Sequence, residues 1–215
     1  MTYLDAVKQV LMRLREPTVA DVNQTPYSSL IGVLLNDAKA EVEAAWAWSG
    51  LRSTTTVSTT PSVFGYELQD TNNSSTFLSV TNDTTNCELT YATAKQFNDW
   101  YIKNTPASGS PKYYTFNGVS ADGDTYMEFY PQPNAQEVIR INFIQRGMEL
   151  ILNTHTLQVP SRPVLLLAYA KAVEERGEDG GVGSGPAYSM ATRSLSDHIA
   201  LDAQKHPEET FWEAV

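Results

Sequence analysis

The stretch LQVPSRPVLLLAYAKAVEERG, residues 157–177, determines how the rest of the chain can fold. Val159 precedes a proline and therefore favours an extended conformation. Pro163 suits the first turn of a helix, where its missing N–H group removes no hydrogen bond. From Val164 to Val173 nearly every residue is apolar, which predicts a central helix covered by neighbours on several sides. Gly177 can supply the left-handed residue that ends such a helix.

Three further helices are predicted around this central one, each with a single apolar face. Apolar residues recur at spacings of three and four in residues 3–15, in the stretch from Thr25-Pro26 to about Gly50, and in residues 186–205. The polar side of the second of these helices is expected to carry Asp37, Lys39, Glu41 and Glu43. None of the helices can bury its apolar face alone, so they are expected to pack together.

The composition changes at Ser53, where Ser, Thr and Asn become frequent and the helical periodicity ends. Alternating apolar and polar residues bounded by turn residues are typical of half-solvated antiparallel strands. Such strands are predicted at residues 63–68, 76–80, 87–91, 112–117, 125–130 and 137–145. Residues 92–103 interrupt them with Phe97, Trp100 and Tyr101 at helical spacing, which predicts a short helix or lid.

The order of these elements predicts an α+β protein, in which an antiparallel β-rich domain is inserted into a four-helix bundle of two N-terminal and two C-terminal helices. The expected domains are residues 1–52 as the first part of the bundle, 53–150 as the insert, and 151–215 as the second part with a C-terminal tail. The glycine-rich residues 177–185 are expected to form a mobile linker, because they lack the Lys-Ser/Thr pair of a phosphate-binding loop.

The chain is acidic, with a formal net charge of −10 at pH 7. An acidic protein without a basic stripe has no electrostatic means of gripping nucleic acid, although it could line a channel through which DNA slides. No apolar run approaches the length of a membrane span, and residues 1–10 lack the pattern of a signal peptide. We therefore expect no membrane partner.

The chemistry-bearing residues form no recognisable catalytic or ligand pattern. The lone Cys87 excludes a disulfide within the chain and has no His or Lys nearby in sequence to activate it. Asp197 and Asp202 flank His198 on a predicted helix, which indicates a solvated face and not a charge relay. The residues therefore predict no catalytic, cofactor-binding or metal site.

The residues that point to an interaction are aromatic and proline side chains. The tail that contains Phe211 and Trp212 is acidic and offers them no helical partner, so they could fold back onto their own bundle or anchor in a neighbouring subunit. The Ser/Thr/Asn-rich sheet could be a loose insert, or its edges could pair with copies of itself around a ring. The candidate interface residues are Phe211, Trp212, Trp100, Tyr101, Pro131 and Pro133.

Three stretches carry a resemblance to a known family: LIGVLLNDAKAEVEAAWAWSGLR at 30–52, PKYYTFNGVSADGDTYMEFYPQPNAQEVIRINFIQRG at 111–147, and LQVPSRPVLLLAYAKAVEERGED at 157–179. In their order and spacing the chain resembles the phage head-to-tail adaptor family. This family, also called gatekeeper or connector proteins, includes tail tubular protein A of short-tailed phages. Residues 53–91 and the tail from Pro207 are not part of the resemblance.

The resemblance implies a structural virion protein at the head–tail junction, synthesised in the host cytoplasm, and not an enzyme. Adaptors of this family form a twelve-fold ring between the portal and the tail or nozzle, and DNA passes through the lumen without specific binding. The implied partners are further copies of the chain, the portal protein, and a tail tube or nozzle protein. No cofactor is implied.

Two other functions compete with this interpretation. The first alternative is a carbohydrate- or receptor-binding β-module of a phage tail, because Tyr and Trp beside Asn and Thr on a sheet also bind sugars. The four amphipathic helices that flank the insert argue against it. A tail-associated hydrolase is the third possibility, although the sequence shows no catalytic pattern to support it.

Overall fold

The computed structural model describes residues 1–102, 105–121, 123–177 and 184–205. These residues form a mixed α+β protein, which confirms the α+β part of the predicted fold. The helices are α1 (Tyr3–Arg13), α2 (Pro26–Ala45), α3 (Ala94–Ile102), α4 (Ser161–Arg176) and α5 (Ser184–Ala203), with a short 3-10 helix at Ser49–Leu51. The strands are β1 (Arg52–Ser58), β2 (Gly65–Leu68), β3 (Thr76–Asn82), β4 (Cys87–Glu88), β5 (Thr90–Tyr91), β6 (Tyr113–Val119), β7 (Thr125–Tyr130) and β8 (Val138–Ile144).

The chain divides into two compact units. The helical unit consists of residues 1–51 and 147–215, as far as they are described, and contains α1, α2, α4 and α5. The sheet unit consists of residues 52–146 and contains α3 and the eight strands.

Helix α4 is the central element of the helical unit, because it packs against α1, α2 and α5. Val164, Ala168 and Ala172 are buried along it, and the small alanines allow the neighbouring helices to approach closely. Gly177 ends the helix with a φ of 61°, in the left-handed region. The predicted central helix is therefore confirmed, with a start at Ser161, slightly before Pro163. The four-helix bundle as a whole stays a prediction.

Two charged residues of α2 are buried, although the sequence analysis placed them largely off the apolar face. Lys39 and Glu43 form an ion pair with 2.6 Å between Nζ and Oε1. Lys39 Nζ also donates to the Met148 carbonyl oxygen at 2.5 Å, and the Gly147 N–H donates to Glu43 Oε2 at 3.0 Å. The prediction was wrong because these partners come from a segment more than a hundred residues later in the chain.

Asp202 of α5 is also buried, although a solvated helix face was predicted around His198. Its carboxylate accepts hydrogen bonds from the Ser49 N–H at 2.9 Å and from the Ser49 hydroxyl at 2.6 Å. Lys205 Nζ lies 3.0 Å from the same carboxylate. His198 Nδ1 lies 2.7 Å from the Ser194 carbonyl oxygen. Asp202 therefore fixes the end of α5 to the start of the 3-10 helix.

The sheet unit contains two four-stranded sheets, with strand orders β1-β8-β3-β4 and β2-β7-β6-β5. Ile139, Ile141 and Phe143 of β8 are buried while Arg140 is exposed, which confirms the predicted alternation. The core of the unit is formed by residues of both sheets together with Leu89, which lies between β4 and β5: Leu68, Val80, Leu89, Met127, Phe129, Ile139, Ile141 and Phe143.

Strands β5 and β6 are parallel, whereas antiparallel strands were predicted throughout. The connection between them contains α3. A crossover through a helix is the usual way for a chain to place two parallel strands side by side. The predicted short helix is therefore also the reason for the unpredicted strand direction.

Gly50 is expected to tolerate no side chain. A Cβ atom at this position would lie 2.6 Å from the backbone carbonyl oxygen of Gln158, which cannot move aside as a side-chain tip can. We expect Gly50→Ala to lower the free energy of unfolding by about 1–3 kcal/mol, measured by urea denaturation. Gly185→Ala is the control, because no described atom would lie within 4 Å of its Cβ. Equal stabilities of the two variants would contradict the expectation.

Candidate interaction surface

Helix α3 positions two of the predicted interface residues, Trp100 and Tyr101. Its first turn is capped reciprocally: the Gln96 N–H donates to Thr93 Oγ1 at 3.3 Å, and the Thr93 N–H donates to the Gln96 side-chain oxygen at 2.9 Å. Phe97 is only 2% exposed and anchors the helix on the sheet. Because residues three and four apart are neighbours on a helix surface, Trp100 and Tyr101 lie beside this anchor.

Strands β6 and β7 bring two tyrosines to the same place, since Tyr113 and Tyr130 are register partners in the antiparallel pair. The Trp100 ring stacks on Tyr130, with 4.6 Å between centroids, and lies 5.1 Å from the Tyr113 ring. Tyr101 meets Tyr130 edge to face at 5.4 Å. Two phenylalanines complete what we call the aromatic cluster: Phe64, Phe97, Trp100, Tyr101, Tyr113 and Tyr130.

Tyr101 is held in place by both its ring and its hydroxyl. The hydroxyl donates to the Phe129 carbonyl oxygen at 2.8 Å, and the ring lies 4.9 Å from that of Phe64. Burial raises the pKa of Tyr101, and the nearby Glu128 carboxylate raises this pKa further. The phenol therefore remains protonated at physiological pH and acts as a rigid support for the cluster.

Pro131 and Pro133 follow the cluster at the end of β7. The peptide bond between Tyr130 and Pro131 is cis. The Gln132 N–H donates to the Ala107 carbonyl oxygen at 2.9 Å, which ties the loop to the neighbouring segment. Pro131 directly follows Tyr130, whereas Pro133 is buried and its carbonyl oxygen accepts from the Ser62 N–H at 2.9 Å.

The structure thus brings three of the six predicted interface residues to one end of the β2-β7-β6-β5 sheet: Trp100, Tyr101 and Pro131. Pro133 follows in the same loop and is buried. Phe211 and Trp212 lie outside the described residues, so their role stays a prediction. That Trp100, Tyr101, Pro131 and Pro133 belong to an interface is a prediction as well.

The outer edge of the aromatic cluster faces solvent. Phe64 and Tyr113 are exposed, and Ile102 at the end of α3 is 79% exposed. Aromatic side chains on rigid elements are common anchors of protein–protein interfaces, because they bury a large area at a low entropic cost. This surface is therefore suited to burying apolar area against another protein.

A pocket of about 450 Å³ lies beside the aromatic cluster. Its polar groups are largely occupied, because Asn117 donates to Glu128 at 2.6 Å and the Tyr101 hydroxyl binds the backbone. The Thr115 hydroxyl in the pocket wall has no hydrogen-bond partner among the described residues. A sugar site needs several convergent polar groups beside an aromatic ring, so this pocket does not favour the carbohydrate-binding alternative.

Within the described ranges, no three His, Cys, Asp or Glu side chains lie close enough together to hold a metal ion. None of the helices in the described part of the chain is long and apolar enough to cross a membrane.

Sequence reasoning missed Phe64, Tyr113 and Tyr130 as members of the aromatic cluster. Each lies in a stretch that was predicted to be a strand, but the pairing of β6 with β7 and its register cannot be read from one sequence. One signal in the sequence could have indicated part of the cluster. Side chains alternate along a strand, so Tyr113 lies on the same face as Thr115, and Tyr130 lies on the same face as Glu128.

Comparison with known proteins gives one result over nearly the whole chain. The family model described as SU10 adaptor protein matches residues 1–208, which include every described residue of the helical unit and of the sheet unit. No curated protein is significantly similar to the chain.

Proposed function

Because the chain belongs to the SU10 adaptor protein family, it is a structural adaptor protein of phage particles, and we propose that it forms the ring that joins the portal to the tail or nozzle. The family match over residues 1–208 is the observation that carries this proposal. In this role the protein acts at the head–tail junction of the virion, as tail tubular protein A does in the family that the sequence resembles.

The proposed partners are further copies of the chain, the portal protein and a tail tube or nozzle protein. We take the ring to contain twelve copies, as in the adaptors that the sequence resembles. The proposed architecture of each copy is a four-helix bundle that carries the sheet unit as an insert. The aromatic cluster is the surface through which the sheet unit would contact a partner.

The acidic character of the chain is consistent with passage of DNA through such a ring. A net charge of −10 repels phosphate groups, so DNA would slide through the lumen without being retained. In this proposal the DNA is a passing cargo and is not bound specifically.

The proposal is tested by imaging the protein with and without the portal ring of the same phage. We expect closed rings of twelve copies seated on the portal, observed by electron microscopy and supported by the particle mass in sedimentation. A protein that stays monomeric in the presence of the portal at micromolar concentration would contradict the proposed function.

The proposed contact surface is tested by Ile102→Glu, which places a charge on the exposed last residue of α3, directly after Trp100 and Tyr101 in the sequence. Ile102 is 79% exposed, so the substitution should leave the free energy of unfolding unchanged while it weakens ring assembly at least about tenfold. Leu78→Glu is the matched control, because Leu78 is an exposed apolar residue on β3 of the other sheet. Normal assembly of the Ile102→Glu variant would contradict the proposed contact surface. It would not contradict the proposal that the protein forms a ring.

A further inference from the structure

An apolar groove with a basic rim lies in the helical unit, between α1, α4 and α5. Its volume is about 750 Å³, within the range that accommodates a drug-sized ligand or a pair of large side chains. We call it the helical groove. Leu165 and Leu166 of α4 and Ala187 and Met190 of α5 form its apolar lining, and Arg13 and Arg162 stand at its rim.

The lining of the helical groove is incompletely covered. Met190 is 58% exposed although it lies beside the buried Leu165 and Ala187. A long apolar side chain next to a buried wall leaves a hydrophobic surface that another group can cover favourably. The groove therefore fits an apolar or aromatic anchor.

The positive charge of Arg13 and Arg162 at the rim of the helical groove indicates which kind of segment could bind there. Arg13 and Arg162 are exposed, and neither side chain forms an ion pair or hydrogen bond within the described ranges. In a chain with a net charge of −10, two arginines at the rim of a groove whose lining contains no carboxylate favour an occupant that brings its own carboxylates.

The C-terminal segment 206–215, HPEETFWEAV, has this composition. Phe211 and Trp212 are two adjacent aromatic anchors, and Glu208, Glu209 and Glu213 surround them with negative charge. We propose that this segment of one copy of the protein docks in the helical groove of a neighbouring copy, with the aromatic rings against Leu165, Leu166 and Met190 and the glutamates facing the two arginines.

The length of the segment favours a neighbouring copy over the same copy. Lys205 is fixed beside Asp202 at the end of α5. Met190 and Pro186 lie about 20 and 25 Å back along this helix from Ala203, at about 1.5 Å per residue. The chain from Lys205 to Phe211 spans at most about 22 Å when fully extended. In its own molecule, Phe211 would reach only the near edge of the groove, and only in a fully stretched conformation.

Disulfide cross-linking of full-length chains tests the proposal, in a background where Cys87 is replaced by serine. One chain carries Met190→Cys in the groove, and a second carries Thr210→Cys beside the two aromatic residues. After the chains are mixed and mildly oxidised, we expect covalent dimers at a yield at least about tenfold above that obtained with Leu201→Cys in place of Met190→Cys. Met190 and Leu201 are both on α5 and equally exposed, at 58%.

Two further variants identify the forces involved. Trp212→Ala in the tail chain should reduce the cross-linking yield by removing an anchor, and Arg13→Glu with Arg162→Glu in the groove chain should reduce it by reversing the rim charge. Equal yields at Met190 and Leu201, or the absence of a cross-link, would overturn the proposal. In a chain that carries both Met190→Cys and Thr210→Cys, a disulfide that forms only within the chain would show that the tail occupies the groove of its own molecule. This result would also overturn the proposal.

The inference depends on the proposed function only in that copies of the protein must meet, and the two fail in different ways. The mass of the same samples in sedimentation reports the ring, and the covalent dimer reports the groove. Ring-sized particles without a covalent dimer would contradict docking in the helical groove and still support the proposed ring. A covalent dimer in samples that contain no ring-sized particles would support docking in the helical groove and contradict the proposed ring.

Discussion

Replacing Glu43 by alanine is expected to lower the free energy of unfolding by about 3–5 kcal/mol. The Lys39–Glu43 pair has side chains that are only 7% and 3% exposed. Without Glu43, the Lys39 ammonium would keep the Met148 carbonyl as a partner but would have no neutralising charge, and the Gly147 N–H would lose its carboxylate acceptor. Urea denaturation at pH 7 measures the loss.

Two variants separate this effect from a general loss of charge. Glu41→Ala on the same helix removes a carboxylate that is 55% exposed and paired with Lys171, so it should cost less than about 1 kcal/mol. Lys39→Met combined with Glu43→Leu leaves no unpaired buried charge and should be more stable than Glu43→Ala alone. If Glu43→Ala costs no more than Glu41→Ala, the buried pair has no special role.

The burial of this pair shows what a helical pattern cannot reveal. Periodicity assigns each residue of α2 to a face, and charged residues are assigned to the solvated face because burying them is costly. That assignment fails where a distant segment brings a compensating partner, as Gly147 and Met148 do for Glu43 and Lys39. No local feature of α2 indicates that this segment packs against it.

The parts of the fold that the sequence predicted correctly depend on local patterns. The near-continuous apolar run before Gly177 predicted α4, and the alternation of Ile139, Ile141 and Phe143 predicted β8. The parallel arrangement of β5 and β6 was missed because strand direction depends on the connection between strands and on pairing, which are properties of the whole sheet.

The candidate surface was predicted to a similar extent. Helical spacing placed Trp100 and Tyr101 on one face of α3, and the Pro131-Gln132-Pro133 sequence predicted the loop after β7. Their convergence on Tyr130 requires the position of α3 on the sheet and the pairing of Tyr130 with Tyr113. Both depend on tertiary structure and cannot be predicted from a single stretch of sequence.

Asp202→Asn is expected to lower the free energy of unfolding by about 2 kcal/mol at pH 7, and this difference should disappear in acid. Burial acts to raise the pKa of Asp202, but the two hydrogen bonds from Ser49 and the charge of Lys205 outweigh burial and lower the pKa to about 2. A pKa that is lower in the folded state than in the unfolded state means that the ionised carboxylate stabilises the fold, by about 1.4 kcal/mol per unit.

The direction of the pH dependence follows from this shift. The stabilisation is fully present above the ordinary pKa of an aspartate, near 4, and is lost as the pH falls from about 4 to about 2. Urea denaturation of the protein and of Asp202→Asn at pH 7, 4.5 and 3 should therefore show a gap that narrows only in the most acidic sample. Asp197→Asn removes the same charge from an exposed position on α5 and should change stability by less than about 0.5 kcal/mol. A gap for Asp202→Asn that matches that of Asp197→Asn, or that widens in acid, would mean that the carboxylate does not hold Ser49 in the folded protein.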